Sequence, residues 1–343
     1  MSKACILGAG SWGTALATVL ARNMERVVLW GRPEDGINEL RHYRENRTYL
    51  PGVKLAQNIF PSLDLEAAIS GCELLVMAIP AQVQRSVLEH VQLYWHPDMY
   101  IVNAAKGLEL GSHLRMSQVC SEVLGEQCMD RYAVLSGPSH AEEVGRGLPT
   151  VVTIASQRSG SACYVQDCFM TDSFRVYTNP DVAGVELGGA LKNIIALATG
   201  MAYGLGYGDN TVAALMTRGL AEIIRLSHCM GGHMITFAGL SGMGDLFVTC
   251  SSRHSRNRRA GELLASGMSL DDTLKQIGMV VEGVYTVQAA EDMARQFQVE
   301  MPIISACYRI IYRGGNPQEE INALMTRQRK HEIEETAILV KDW

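Results

Sequence analysis

The 343-residue chain has no Cys-x-x-Cys pair, few aromatic residues (6%) and few charged ones (19%). The missing Cys-x-x-Cys spacing removes the commonest metal-finger and redox motifs. Nine cysteines are scattered along the chain, the closest two being Cys163 and Cys168. They read as small core residues of a reduced, cytosolic chain, with no metal site expected. Two long stretches without Asp, Glu, Lys or Arg, Asn193–Gly208 and Leu226–Gly244, are broken by glycines and polar residues, so no membrane span is expected. The opening MSKACILGAG lacks the apolar core and cleavage site of a signal peptide. A net charge of -6 argues against nucleic acid as a partner. The expectation is a soluble, cytoplasmic protein.

What is present is an ordinary globular composition, 47% hydrophobic, in a chain long enough for two domains. In the first half, short β-rich runs alternate with helical patterns. ACILG (4–8), VVLW (27–30), LLVMAIP (74–80), YIVNAA (100–105), YAVLSG (132–137), TVVTIA (150–155) and FRVYT (174–178) are the expected strands. Several are continuous apolar runs, as in a parallel sheet buried on both faces. Helical patterns such as Thr14–Arg22 and Gln82–Val91 lie between them, which predicts a doubly wound α/β domain. After Asn179-Pro180 the patterns become long and helical: Val182–Ala202, Asn210–Met230, Ser269–Gln276, Thr286–Phe297 and Gln318–Thr326. The expected division is an α/β domain over 1–180 and a largely α-helical domain over 181–343, ending in the charged tail RQRKHEIEETAILVKDW.

Gly8-Ala9-Gly10-Ser11-Trp12-Gly13 is G-x-G-x-x-G between a strand and a helix. In that setting Gly8 permits the tight turn, Gly10 admits a pyrophosphate and Gly13 lets helix and strand pack closely. The helix N-terminus offers the phosphates free N–H groups. A dinucleotide cofactor is therefore expected. At the end of the second strand an NAD site would carry Asp or Glu for the ribose hydroxyls. Arg32 stands there instead and suits a 2'-phosphate, favouring NADP(H), with NAD(H) kept open by Glu34 and Asp35. Lys106 in NAAKG and Ser139 in LSGPSHA close two further strands on the edge where ligands bind.

One feature of the helical half resists an easy account. Between Glu186 and Asp209 the only charged residue is Lys192, in an otherwise apolar, glycine-bearing run. An unpaired buried charge is expensive. Either this lysine reaches water, or something beyond the run meets it. Gly188 and Gly189 disfavour a helix by roughly 1 kcal/mol each and point to close packing beside Lys192. Desolvation would depress the lysine pKa and suit it to proton transfer. Further on, GLSGMGDL places Asp245 among glycines, Thr249 follows, and Arg253, Arg256, Arg258 and Arg259 form a basic cluster. Such a cluster suits a phosphate or a solvated face. Without interleaved aromatics it is a poor nucleic-acid patch.

Taken together, GAGSWGTALA (8–17), AAKG (104–107), LSGPS (135–139), ELGGALKN (186–193), GDN (208–210), GLSGMGDL (239–246), SRNRR (255–259) and VVEG (280–283) occur in order. The set resembles the bacterial-type NAD(P)-dependent sn-glycerol-3-phosphate dehydrogenases. The resemblance implies a Rossmann domain with a helical domain, commonly as a homodimer. It implies reversible reduction of dihydroxyacetone phosphate by NAD(P)H, supplying glycerol 3-phosphate for phospholipid synthesis. By motif, Ser11, Trp12, Arg32, Lys106 and Ala141 would touch the cofactor, joined by Arg256, Val280 and Glu282. Lys106, Gly137, Ser139, Lys192, Asp245, Ser255, Arg256 and Asn257 would line the substrate, with Lys192 as proton donor and acceptor.

The residue chemistry fits that implication. Lys192 would protonate the developing alkoxide while Lys106 adds positive charge beside it. Asp245, with Thr249 and Asn193, would hold Lys192 and a substrate hydroxyl, and Arg256 and Asn257 would clamp the phosphate. Two residues depart from the family pattern: His140 stands where Phe is usual, and Pro33 follows Arg32. The tail after Arg329 matches nothing in it. Two rival readings keep the nucleotide fold: a ketopantoate-type or β-hydroxyacid reductase, and a non-catalytic NADP(H) sensor.

Overall fold

The computed structural model describes residues 2–329, 331 and 332. Its first half is an eight-stranded sheet of β1 (Lys3–Leu7), β2 (Arg26–Trp30), β3 (Ile59–Ser62), β4 (Leu74–Met77), β5 (Tyr100–Asn103), β6 (Tyr132–Ser136), β7 (Thr150–Ala155) and β8 (Phe174–Asn179). The strand order is β3-β2-β1-β4-β5-β6-β7-β8. β1 registers with both neighbours, Leu7 opposite Trp30 of β2 and Met77 of β4. β1, β4 and β6 are apolar runs buried almost throughout, because helices cover both faces. The chain order reverses about β1, so the glycine loop after Leu7 opens at the switch point of the sheet.

Two sheet features depart from the expectation. β3 was not foreseen: its sequence IFPS contains Pro61, which cannot donate to a ladder and is tolerated because β3 is the outermost strand. The sheet is also not wholly parallel, since β7 runs antiparallel to β6. The segment 137–149 supplies only the short helix Ala141–Gly145 and no crossover, so the chain turns back directly. That turn leaves Gly137, Ser139 and His140 on the same edge as the glycine loop.

The 23-residue helix Val182–Gly204 organises the second half. Asp181 caps it by accepting from the Gly184 N–H, and takes the His233 N–H and the Thr236 hydroxyl as well. Nearly every residue of the helix is buried. By length and composition it could cross a membrane, but 94% of its most apolar window is buried inside this fold, the signature of a core helix. Its first turn packs with the sheet through Val182 and Val185, and from Leu187 onward it packs with the helical half. Buried Glu186 fastens the junction, accepting from Arg115, from the Ser117 main chain and hydroxyl, and from Tyr132.

Around it stand Asp209–Cys229, Asp245–Ser251, Arg256–Ala265, Leu270–Ile277, Glu282–Phe297, Pro302–Arg313 and Pro317–Met325. Asp245–Ser251, Arg256–Ala265 and Pro302–Arg313 were not foreseen. The last begins with proline at its first turn, and buried Glu222 satisfies its free Ile303 and Ile304 N–H groups. The charged-tail expectation falls, at residue 330 and from 333 onward, outside the described residues. All nine cysteines are free, and all but Cys163 and Cys229 are buried.

Gly200 and Gly261 let two helices touch backbone to backbone. A Cβ on Gly200 would lie 2.0 Å from the Arg258 carbonyl oxygen, and one on Gly261 2.1 Å from that of Leu197. Gly261→Ala is therefore expected to destabilise the protein by about 1–3 kcal/mol and to lower the Tm in calorimetry. An unchanged Tm would contradict this packing.

Candidate active site

The glycine loop is built as a phosphate cradle. Gly8 has φ +113°, and a Cβ there would lie 2.5 Å from the Ala78 carbonyl oxygen. A Cβ on Gly13 would lie 1.9 Å from the Gly8 carbonyl oxygen. Gly10 differs: no heavy atom lies within 4 Å of where its Cβ would be. The helix Ser11–Leu20 starts there with no side-chain cap, so its first N–H groups face that open space. These residues fit a dinucleotide pyrophosphate. The Trp12 indole donates to the Ala104 carbonyl at 3.2 Å and ties this loop to the end of β5. Arg32 lies just past β2, its side chain 67% exposed and its guanidinium 3.2 Å from Asp35.

The lone lysine has a partner from far along the chain. Lys192 Nζ donates to Asp245 Oδ1 at 2.5 Å and to the Thr249 hydroxyl. Lys106 Nζ donates to the other oxygen of the same carboxylate at 2.6 Å and to the Gly137 carbonyl at 3.1 Å. The glycine pair makes this possible. Gly188 admits the Ser241 main chain, 2.7 Å from where a Cβ would stand, and Gly189 admits Ser136 Oγ and the Lys106 stem. A π-helical turn, Leu240–Gly244, then carries Asp245 inward.

Charge in this cluster is uneven. Burial pulls the Lys192 ammonium down to about 8, with Asp245 opposing and Lys106 assisting. Burial alone would raise Asp245, but the two lysines outweigh it and hold the carboxyl below its ordinary value. Two ammonium groups against one carboxylate leave a positive charge over, next to the glycine loop. Such a site favours an anionic ligand.

The remaining predicted residues fall around this cluster. Asn257 donates to Asn193 Oδ1 at 3.0 Å and accepts from the Gly283 N–H at 2.9 Å, so its amide is already engaged. The Ser255 hydroxyl accepts from the Arg258 N–H and caps Arg256–Ala265. Arg256 donates to the Val280 carbonyl at 2.9 Å, and burial lowers its pKa against the opposing charges of Glu282 and Glu142. Arg258 is spent on Glu262, on the Ser251 carbonyl and on the Tyr203 ring, so the basic cluster is no single patch. Glu282 accepts from the Ala81 N–H with one oxygen. Its other oxygen is buried without a partner among the described residues, and burial pushes the carboxyl up to about 7. Ala141 starts the short helix after His140. Ser139 donates to the Gly137 carbonyl. Sequence reasoning missed the Lys106–Asp245 pair and the buried, partnerless Ser136 hydroxyl, since no spacing signal marks either.

Comparison with known proteins decides the family. Models described as the N-terminus and the C-terminus of NAD-dependent glycerol-3-phosphate dehydrogenase match residues 3–162 and 181–322. A glycerol-3-phosphate dehydrogenase [NAD(P)+] of Syntrophomonas wolfei is 58% identical over 343 residues, the whole of both chains. That of Moorella thermoacetica is 56% identical, covering 96% of this chain and 97% of its own. The chain belongs to the NAD-dependent glycerol-3-phosphate dehydrogenase family.

The crystal structure of glycerol-3-phosphate dehydrogenase from Coxiella burnetii superposes with a TM-score of 0.90 at 38% identity, covering 95% of this chain and 99% of that one. A ketopantoate reductase from Ralstonia eutropha reaches a TM-score of 0.59 at 14% identity, which is likeness of fold alone. The same architecture thus occurs in other reductases, so the chemistry is read from the site and not from the fold. Asp245→Asn would leave both lysines against a neutral amide. It is expected to destabilise the protein by about 3–5 kcal/mol, read as a lower Tm at neutral pH. A wild-type Tm would mean the carboxylate is not holding these charges.

Proposed function

We propose that this protein catalyses the reversible reduction of dihydroxyacetone phosphate to sn-glycerol 3-phosphate with NAD(P)H. The observation that carries the reading is the sharing of Asp245 by Lys106 and Lys192 beside the glycine loop. Around an α/β domain over 1–180 and a helical domain over 181–343, the reading places chemistry at their junction. It takes the protein to act in the cytoplasm, as a homodimer, and to feed glycerophospholipid synthesis.

Gly8, Gly10, Gly13 and the Ser11–Leu20 N-terminus would hold the cofactor phosphates, with Trp12, Arg32, Ala141, Val280 and Glu282 along its length. When bound, the reduced nicotinamide supplies a hydride to the carbonyl carbon. Lys192 gives two of its three N–H groups to Asp245 and Thr249, which leaves the third for the substrate carbonyl oxygen. As charge develops on that oxygen, Nζ transfers its proton to it. Lys106 adds a fixed positive charge nearby, and Asp245 keeps both lysines in place without solvent reorganisation. Arg256, Ser139 and the N-terminus of Arg256–Ala265 offer donors to the phosphate, and its binding aligns the carbonyl. Asn257 contributes by fixing Asn193 and Gly283.

The test mixes purified protein with dihydroxyacetone phosphate and follows oxidation of NADPH and NADH. Turnover is expected with both. Lys192→Ala should lower kcat by about 10²–10⁴-fold while cofactor binding is retained. Reduction needs the ammonium, so its rate should fall as pH rises through about 8, and oxidation should fall as pH drops below that value. Protein that binds cofactor yet leaves dihydroxyacetone phosphate unreduced would end this reading.

Cofactor choice turns on Arg32. Its exposed guanidinium is free to leave Asp35 for a 2'-phosphate, since an exposed pair of this kind is worth under about 1 kcal/mol. Arg32→Ala should raise KM for NADPH about tenfold or more, the worth of a charge-assisted contact, and leave that for NADH nearly unchanged. Equal effects on both would assign Arg32 to the surface.

A further inference from the structure

Each reduction removes a proton from Lys192, and only 5% of that residue's surface is open to solvent. Its partners cannot replace the proton. Asp245 is an ionised carboxylate, and the Thr249 hydroxyl is itself directed at the Asp245 main-chain carbonyl. Lys106 reaches the opposite oxygen of Asp245 and not Lys192 itself. Turnover therefore requires a path from solvent to the Lys192 amine.

His140 stands on such a path. Its Nε2 is buried and has no hydrogen-bond partner among the described residues, an arrangement that is unfavourable unless something intermittently meets the atom. Lys192 is the charge that acts most strongly on the ring, followed by Glu142 of the next short helix and by Lys106, and the ring bonds to the Val248 main chain. Asp245, Val248 and Thr249 occupy positions i, i+3 and i+4 of the Asp245–Ser251 helix and so share one face. Lys192 bonds to the first and last of these, and the His140 ring bonds to the main chain of the middle one. Outward, the His140 ring centroid lies 5.8 Å from that of His254, which is exposed. Exposure thus rises in order from Lys192 to His140 to His254. Burial and the facing Lys192 charge keep the His140 ring neutral near pH 7, with a proton on one nitrogen and a lone pair on the other.

We propose that His140, supplied from His254 at the surface, is the proton relay that restores the Lys192 ammonium after reduction and drains it during oxidation. The inference rests on the reading of Lys192 as the proton donor. A solvent proton binds the outer nitrogen of the ring, and the inner nitrogen releases its proton to the Nζ lone pair, directly or through one water. The ring ends neutral with its tautomer exchanged, and a flip of the ring turns the protonated nitrogen inward again, ready for the next proton from His254 and solvent. No electrons change hands.

His140→Ala in the full-length enzyme removes both nitrogens and leaves a ring-sized space that free imidazole can enter. At saturating dihydroxyacetone phosphate and NADPH, kcat should fall about tenfold or more, its solvent deuterium isotope effect should rise, and free imidazole should restore the rate in a saturable way. KM for substrate and cofactor should move little. A residue with a merely structural role would not be rescued by imidazole. Wild-type kcat and isotope effect in the variant, or a loss that imidazole leaves untouched, would overturn the relay. If His140→Ala does not fold, His254→Ala decides the question from the surface, with a smaller loss of kcat and the same rescue expected. An inactive wild type would instead remove the proposed function, whereas an active wild type indifferent to both histidines removes the relay alone.

Discussion

The Asp245 carboxylate lies between two ammonium groups, 2.5 Å from Lys192 and 2.6 Å from Lys106, and is itself 1% exposed. Burial works against the charge on Lys192 and against that on Asp245, and the ion cluster opposes burial at both. Lys106 comes from the end of β5, Lys192 from the middle of the long helix, and Asp245 from the turn that follows the π-helical segment. The ion cluster therefore ties the sheet to the helical half at one point. Its charge is left unbalanced by one positive group, so the interaction that joins the two halves also defines what can bind between them.

The rest of the architecture supplies that cluster with room and rigidity. Val182–Gly204 is apolar all round and carries its single lysine because three kinds of contact surround it. Asp181 and Glu186 anchor the first turns, Gly188 and Gly189 admit the Ser241 main chain and the Lys106 stem, and Gly200 admits the Arg256–Ala265 helix. Each glycine disfavours the helix slightly by propensity and gains a backbone contact that no side chain would allow. The opposite device serves the cofactor side, where Gly10 keeps space empty and Gly8 and Gly13 fold the loop tightly around it.

Much of this was readable in the residue order. Strands β1, β2 and β4 to β8 stand out as apolar or β-branched runs, and the long helices of the second half show their periodicity. β3 is hidden because Pro61 breaks its pattern, and only its edge position makes it a strand. The antiparallel entry of β7 is hidden because periodicity carries no direction. Arg256–Ala265 begins with RNRR, which looks like a solvated run until Ser255 is seen capping it and Asn257 and Ala260 are found buried. In the site, Lys192, Asp245 and Thr249 were legible as a group. Lys106 was legible as a charge near the substrate, but not as a partner of Asp245.

The sequence by itself determined the glycine loop, the strand ends that carry Lys106 and Ser139, and the burial of a single lysine in an apolar helix. These depend on neighbours within a few residues, through backbone conformation and the helical or strand period. The tertiary structure alone decided which groups meet: Lys192 with Asp245 across 53 residues, Lys106 with Asp245 across 139, and Asn257 with Asn193 across 64. It also decided that the His140 and His254 rings lie 5.8 Å apart. Such pairings follow from how helices and sheet close against one another, and that packing is a property of all the elements together, recorded in no local stretch of the chain.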